Sequence, residues 1–93
     1  MAVVYILQCT DGTFYTGWTT DMKRRLRAHN SGQGARYTRG RRPVRPVYRE
    51  EQPTKSAAQR REAAIRRLSR ADKLKLIERC PEPVEEGRWN DES

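Results

Sequence analysis

Several residue types and patterns are scarce in this chain of 93 residues, and each scarcity argues against a class of protein. The two cysteines, Cys9 and Cys80, stand far apart and form no CxxC pair, so we expect two reduced, mostly buried thiols instead of a disulfide framework or a zinc site. No apolar run approaches the roughly 20 residues that a membrane-spanning helix needs. The N-terminus, "MAVVYILQC", lacks the basic start and the small-residue cleavage site of a signal peptide. These absences predict a cytoplasmic protein.

Acidic residues are missing from the middle of the chain, and histidine occurs once. Residues 22–49 contain ten lysines and arginines and no aspartate or glutamate, and His29 lies inside this basic block. The net charge is +8 and the pI is about 10.2. A localised, arginine-rich excess is typical of proteins that bind a polyanion, most often the phosphate backbone of nucleic acid. The alternative is a basic surface that only keeps the protein soluble.

The length predicts one domain, with a modest core because only 34% of the residues are hydrophobic. We place the domain at residues 1–80. The remaining segment, residues 81–93, carries five acids and one base and contains proline, so we expect an acidic, mobile C-terminal tail.

The first twenty residues predict a β-hairpin. "AVVYILQC" (2–9) and "TFYTGWTT" (13–20) are rich in β-branched and aromatic residues, and "TDG" (10–12) is a tight-turn signal. The first strand contains an apolar run, so we expect helices to cover both of its faces. Tyr5 and Tyr15 should lie close together across this hairpin.

The rest of the chain alternates helices with one further strand. A helix capped by Thr20 or Asp21 should run to about Asn30, with Met22, Leu26 and His29 on one face. Residues 35–43 read as a basic loop, and residues 44–51 read as a third strand with Pro46 at an edge or a bulge. A helix over 54–68, with a capping box of Ser56 and Gln59, and a last helix from "SRAD" (69–72) to about Arg79 complete the domain. The predicted fold is an α/β (α+β) sandwich in the order β-β-α-β-α-α, with a three-stranded, mainly antiparallel sheet.

Four residues could carry chemistry, and each also has a structural interpretation. Glu62 borders the apolar stripe of its helix, where it could bind a metal ion or form an i, i+4 salt bridge with Arg66. His29 could serve as a general acid or base. It could instead be a helix C-terminal imidazole favoured by the helix dipole, or a partly buried side chain with a satisfied partner. Tyr5 and Tyr15 could be core residues, or phenols whose pKa is lowered by cationic neighbours and a metal.

The order and spacing of these residues resemble the GIY-YIG nuclease superfamily. The two tyrosine motifs read Val3-Val4-Tyr5 and Tyr15-Thr16-Gly17, an arginine follows that glycine by eight residues, and a histidine follows the arginine by four. Within this superfamily the chain resembles more strongly a branch of small single-domain bacterial proteins, through "YTG", "RRL..HNSG", "ARYTRGRRPV" and "E..I..LSR". These motifs also resemble the nuclease domain of Slx-type endonucleases. Val3 replaces the glycine of the first motif. The late asparagine of some members could only be Asn90, to which no role is transferred.

The resemblance implies a metal-dependent endonuclease that hydrolyses phosphodiester bonds of DNA, in repair or recombination and with a preference for DNA structure. It implies that one Mg²⁺ or Mn²⁺ ion binds Glu62. Arg25 would stabilise charge on the phosphate, Tyr5 would activate water, Tyr15 would orient water or phosphate, and His29 would share the proton relay. The sequence leaves open which of these groups is the general base. An imidazole among arginines should have a lowered pKa, which keeps it neutral and able to accept a proton.

The basic block supplies the expected contacts to nucleic acid, with DNA favoured over RNA. Backbone phosphates would be held by charged side chains, and an aromatic ring would be available for stacking. The residues predicted for this surface are Lys23, Arg24, Arg36, Tyr37, Arg39, Arg41 and Arg42. Two alternatives remain open from the sequence: a nucleic-acid-binding module without catalysis, and a nuclease subunit that needs a partner protein for targeting.

Overall fold

The computed structural model describes residues 1–79, which form three strands and four helices. In chain order the elements are β1 (Ala2–Gln8), β2 (Phe14–Thr19), α1 (Met22–Ser31), α2 (Arg36–Arg39), β3 (Arg45–Gln52), α3 (Lys55–Arg66) and α4 (Arg70–Glu78). The predicted α+β class and the order of the major elements are confirmed. Cys80, Asn90 and the predicted acidic tail lie outside the described residues.

The sheet has the order β2-β1-β3, and both strand pairs are antiparallel. Between β1 and β2 the chain turns at Asp11, whose carboxylate accepts a hydrogen bond from the backbone N–H of Thr13 at 3.1 Å. In this hairpin Tyr5 lies opposite Gly17 and Leu7 lies opposite Tyr15. Both tyrosines therefore point to the same face of the sheet, two residues apart along the strands.

The central strand β1 is buried on both faces, as its apolar sequence predicts. On one face its side chains pack with Ala58 and Ile65 of α3, and on the other they pack with Leu26 of α1 and with Val44. The side chains of β1 that form the first cluster are Ala2, Val4 and Ile6, and those that form the second are Tyr5 and Leu7. Tyr5 thus belongs to the sheet face that α1 covers.

The helix ends follow from side-chain caps, and one of them corrects the sequence prediction. Asp21 caps α1 by accepting a hydrogen bond from the N–H of Arg24, and Gly32 ends the helix in the left-handed region at φ 88°. The cap of α3 is Thr54, which accepts from the N–H of Ala57, so the predicted capping box at Ser56 is wrong. Ser56 lies inside the first turn, two residues after the cap.

The predicted basic loop, residues 35–43, contains the short helix α2. This helix is a single turn, in which the N–H of Thr38 donates to the carbonyl of Ala35 at 3.2 Å. Thr38 is fully buried, whereas Arg36 and Arg39 are exposed. One turn is too short to leave a helical pattern in the sequence, and the buried threonine shows that tertiary packing stabilises it.

Two further expectations concern Pro46 and Cys9. Pro46 lies on β3, an edge strand, opposite Leu7 and beside a register shift, so both alternatives predicted for this proline are present. Cys9 is a buried free thiol. Within residues 1–79, none of the helices has the length and apolar character that crossing a membrane requires.

Candidate active site

The hydroxyl of Tyr5 is the centre of a polar cluster between β1 and α1. Tyr5 is fully buried, and its Oη lies 3.1 Å from Nε2 of His29 and accepts a hydrogen bond of 3.4 Å from Nε of Arg25. Arg25 and His29 are one helical turn apart on α1, so both side chains reach the same phenol. Three residues that were predicted to act together are therefore in direct contact.

Tyr15 joins this cluster from β2. Its ring centroid lies 6.5 Å from that of Tyr5 and 5.2 Å from that of His29, with an edge-to-face arrangement against the imidazole. The predicted proximity of the two tyrosines is confirmed. The outer neighbour of Tyr15 is Tyr37 of α2, stacked at 6.0 Å between ring centroids.

Gly17 leaves room for the phenol of Tyr5. A Cβ atom at this position would lie 2.6 Å from Oη of Tyr5 and 2.8 Å from its Cζ, closer than van der Waals contact allows. Glycine in the Tyr-x-Gly motif is therefore required by close packing and not by a special backbone angle. The motif positions one tyrosine and makes space for the other.

The second ring nitrogen of His29 contacts Thr38, a residue that the sequence reasoning did not assign to the site. Nδ1 of His29 lies 2.8 Å from Oγ1 of Thr38, which donates its own hydrogen to the carbonyl of Ala35 at 3.0 Å. Both side chains are fully buried. The only available signal was the threonine in "ARYTRG", because contacts between α1 and α2 cannot be read from spacing.

Burial lowers the pKa of His29 to about 4, and the charge of Arg25 adds to the fall. The predicted direction is confirmed, and so is the neutral state at pH 7. The sequence attributed the effect to the surrounding arginines, whereas loss of solvation is the larger cause. His29 is thus neutral at pH 7, with one ring nitrogen that donates and one that accepts a hydrogen bond.

Burial raises the pKa of Tyr5 to about 12, although Arg25 opposes this through its hydrogen bond and charge. Tyr15 and Glu62 add smaller upward contributions. From the sequence, cationic neighbours and a metal were expected to lower the pKa of this phenol. In the folded chain burial outweighs the effect of Arg25, so the pKa rises instead. Tyr5 carries its proton at neutral pH.

Glu62 lies on α3, the helix that packs against the opposite face of the sheet, and its link to the cluster is electrostatic. Its side chain is 13% exposed, accepts a hydrogen bond from Arg66 one turn later, and is near enough to Tyr5 to raise the phenol's pKa. The i, i+4 salt bridge expected as the structural interpretation is therefore present. A carboxylate has two oxygens, so this bond leaves capacity for a further ligand.

The donor set allows one kind of metal site only. Within residues 1–79, no three or more His, Cys, Asp or Glu side chains are grouped so that they could hold an ion. Mg²⁺ in nucleic-acid enzymes is often bound through one or two carboxylates, several waters and substrate phosphates. Glu62 fits a hydrated ion of that type and does not fit a site built from protein ligands alone.

The predicted nucleic-acid contacts fall into two groups. Lys23 and Arg24 on α1 and Arg36 and Arg39 on α2 have exposed side chains. The other three residues are tied to the protein. Arg41 forms a salt bridge with Asp11 at 3.0 Å and covers the ring of Tyr37 at 4.1 Å from the centroid, and Arg42 donates to the carbonyl of Arg39.

A cleft of about 340 Å³ opens beside the cluster at the free edge of β2. It is lined by Phe14, Tyr15, Thr16, Tyr37, Arg66 and Lys73. Two aromatic rings of the candidate site and the salt-bridge partner of Glu62 share this cleft with a lysine of α4. The sequence reasoning assigned no role to Arg66 beyond the salt bridge, and none to Lys73.

Most of the chain matches a known protein family. Residues 1–75 match the family model described as the GIY-YIG catalytic domain. The matched segment contains every residue of the polar cluster described above.

Proteins of the same size class also resemble the chain. A UPF0213 protein of Halobacterium salinarum is 56% identical over 74 residues, which cover 80% of this chain and 96% of the relative. A UPF0213 protein of Syntrophus aciditrophicus is 52% identical over 80 residues, covering 85% of this chain and 92% of the relative. The solution NMR structure of the UPF0213 protein from Bacillus halodurans is 49% identical, covers 84% of each chain and superimposes with a TM-score of 0.54.

Proposed function

The chain belongs to the GIY-YIG family, and from that premise we propose that it is a metal-dependent endonuclease that hydrolyses phosphodiester bonds of DNA. The family carries a nuclease fold, and the finer assignment is ours. We further propose that the protein acts in the cytoplasm on structured DNA, during repair or recombination.

The hydrogen bond between Tyr5 and His29, beside Arg25, is the observation that carries the proposal. The phenol and the neutral imidazole are buried and lie 3.1 Å apart, and the partly buried guanidinium of Arg25 lies 3.4 Å from the phenol oxygen. Titratable groups with strongly shifted pKa values that contact one another in this way are more frequent at functional sites than elsewhere. Hydrolysis of a phosphodiester needs a proton acceptor for water and a cation for the phosphate, and this cluster contains both.

Tyr5 and His29 would act together on the attacking water. The water would give a proton to Oη of Tyr5 while Tyr5 gives its own proton to Nε2 of His29, which becomes an imidazolium. The water oxygen would bond to phosphorus as the bond from phosphorus to the 3′ oxygen breaks, and the leaving 3′ oxygen would take a proton from solvent. The phenol stays neutral throughout, in agreement with its pKa of about 12. The positive charge of Arg25 contributes to the low pKa of His29, about 4. A phosphate anion bound beside Arg25 would offset this charge and raise the pKa of His29, so the imidazole would become a better proton acceptor.

Arg25 would contact the nonbridging phosphate oxygens, where negative charge grows in the transition state. Tyr15 would orient the water or the phosphate from the neighbouring strand. Glu62 would hold one Mg²⁺ or Mn²⁺ ion, which when bound supplies positive charge to the phosphate and to the leaving 3′ oxygen.

The exposed cations on α1 and α2 would bind the DNA backbone on either side of the reacting phosphate. Lys23, Arg24, Arg36 and Arg39 are exposed. Tyr37, 38% exposed, would offer its ring edge to a base, while Arg41 and Arg42 would hold this surface in shape and add charge. These contacts are electrostatic and do not read the DNA sequence. The affinity for DNA should therefore fall steeply as the salt concentration rises.

The direct test is cleavage of labelled duplex, single-stranded, flap and branched DNA in the presence of Mg²⁺, Mn²⁺ or EDTA. We expect metal-dependent cutting with a preference among these shapes. Tyr5→Phe and Glu62→Ala should each lower the cleavage rate by about 100-fold or more while DNA binding is retained. Cutting that persists in EDTA, or that both variants retain, would overturn the proposal.

The salt bridge between Glu62 and Arg66 favours a second candidate, a nucleic-acid-binding module without catalysis. If Glu62 stays paired with Arg66 when DNA binds, its role is structural and it holds no metal ion. The function then depends on the basic surface alone. Such a module would bind DNA equally well as wild type and as Glu62→Gln, and would cut none of the four substrates. Activity that appears only with an added cell fraction would instead indicate a nuclease subunit that requires a targeting partner.

A further inference from the structure

We propose that Thr38 is a positioning residue that fixes the tautomer of His29, so that the imidazole carries its hydrogen on Nδ1 and presents a bare Nε2 to Tyr5. This inference rests on the proposed function for its catalytic consequence. The tautomer itself can be measured without any nuclease activity.

The direction of the hydrogen-bond chain follows from its two ends. The carbonyl of Ala35 can only accept, so the hydroxyl of Thr38, 3.0 Å away, spends its single hydrogen on that bond. Thr38 Oγ1 must then accept from His29, 2.8 Å away, which requires a hydrogen on Nδ1. A neutral imidazole has only one N–H, so Nε2 is a lone pair.

The other end of the chain gives the same direction. Nε of Arg25 can only donate, and it donates to Oη of Tyr5. The phenol's own hydrogen is then directed to Nε2 of His29 at 3.1 Å. Arg25, Tyr5, His29 and Thr38 therefore form one continuous chain in which every donor faces an acceptor and which ends on a backbone carbonyl.

The position of Thr38 keeps solvent away from the Nδ1 end of this chain. His29 and Thr38 are both fully buried, so water does not compete for Nδ1. Because α2 also exposes Arg36 and Arg39, the turn that would touch the DNA backbone is the same turn that holds the imidazole. A displaced α2 would lose backbone contacts and the tautomer together.

The single histidine allows an unambiguous test by NMR. In the ¹⁵N-labelled full chain near pH 7, long-range ¹H–¹⁵N correlations should show Nδ1 as the protonated nitrogen and Nε2 as the bare one. A wild-type spectrum with the opposite tautomer, or with a rapid mixture of the two, would overturn the proposal, whether or not the protein cuts DNA.

Thr38→Val and Thr38→Ser test the consequence. Valine keeps the shape and removes the acceptor, so we expect the hydrogen to shift toward Nε2 and kcat to fall about 10- to 100-fold, with KM changed little. Serine keeps the hydroxyl, so it should restore both the tautomer and kcat. The role of the hydroxyl would be contradicted if Thr38→Val kept the wild-type tautomer and kcat. It would also be contradicted if Thr38→Ser behaved like the valine variant. If Thr38→Val does not fold, the wild-type spectrum and the serine variant still decide.

Discussion

The hydroxyl of Tyr5 has neighbours with opposite effects on its proton. Arg25 favours the phenolate, whereas burial and the nearby Glu62 favour the phenol, and burial dominates. The residue types in this site could be predicted from the sequence, since their spacing along a hairpin and a helix brings them together. The direction of the pKa shift could not, because it depends on how deeply β1 is covered.

Gly17→Ala tests how closely Tyr5 is packed. The added Cβ would lie 2.6 Å from Oη of Tyr5, so the ring must move and the 3.1 Å bond to His29 should be lost. We expect the free energy of unfolding to fall by about 1–3 kcal/mol, and cleavage to fall with it. Urea denaturation measures the first effect and a cleavage assay the second.

Gly40→Ala is the matched control for that experiment. A Cβ at Gly40 meets no atom within 4 Å, and the backbone there has a negative φ of −93°. Its stability should stay within about 0.5 kcal/mol of wild type. Equal effects of the two substitutions would contradict the packing argument.

The depressed pKa of His29 predicts a loss of stability in mild acid. The folded chain holds His29 at a pKa of about 4, while the unfolded chain has the ordinary value of 6.5. Between these values the unfolded state binds a proton that the folded state does not, so the free energy of unfolding decreases as pH falls. The loss should reach about 3 kcal/mol near pH 4 and be absent above pH 7.

His29→Gln isolates this effect from the titration of carboxylates. Denaturant midpoints of wild type and variant, measured from pH 7 to pH 4, should converge as pH falls because only the wild type loses the histidine contribution. Parallel curves would show that His29 is not held neutral by the fold.

At the scale of elements, hydrophobic patterning predicted the strands and the long helices well. The apolar run of β1, from Ala2 to Leu7, agrees with its burial on both faces, because a strand covered on both sides needs a nearly continuous run of apolar residues. The short helix α2 was missed since a single turn has no period to detect. It matters most for the site, because Thr38 and Tyr37 both come from it.

The start of α3 allows the observed and predicted caps to be compared. Thr54→Ala removes the acceptor for the N–H of Ala57 and should cost about 1 kcal/mol of unfolding free energy. Ser56→Ala removes only an exposed hydrogen bond from Arg60 and should change stability by less than about 0.5 kcal/mol. Chemical denaturation of both variants gives the comparison, and a larger effect at Ser56 would restore the cap predicted from the sequence.

Over the whole molecule, positive and negative charges are concentrated in different segments of the chain. Residues 22–49 are exclusively basic among charged residues, and residues 81–93 carry five acids and one base. The sequence suggests that this acidic segment competes with nucleic acid for the basic surface. It lies outside the described residues, so a binding experiment is the appropriate test.

Deletion of residues 81–93 should tighten DNA binding by about three- to tenfold at low salt, and the difference should shrink as salt screens the charges. Fluorescence anisotropy with labelled DNA measures the affinity. A full-length control neutralises the five acids, Glu82, Glu85, Glu86, Asp91 and Glu92, to their amides and should reproduce the effect. Unchanged affinity in both proteins would remove the idea of competition.

The central claim, that Glu62 serves catalysis and is more than a partner of Arg66, is tested most directly by Glu62→Gln on one labelled branched DNA with Mg²⁺. Cleavage and binding are measured on the same samples under single-turnover conditions. We expect wild type to cut, and we expect the variant to bind within about threefold of wild type while its cleavage rate falls about 100-fold or more. Equal cutting by both proteins, or no cutting by wild type with equal binding, would contradict it.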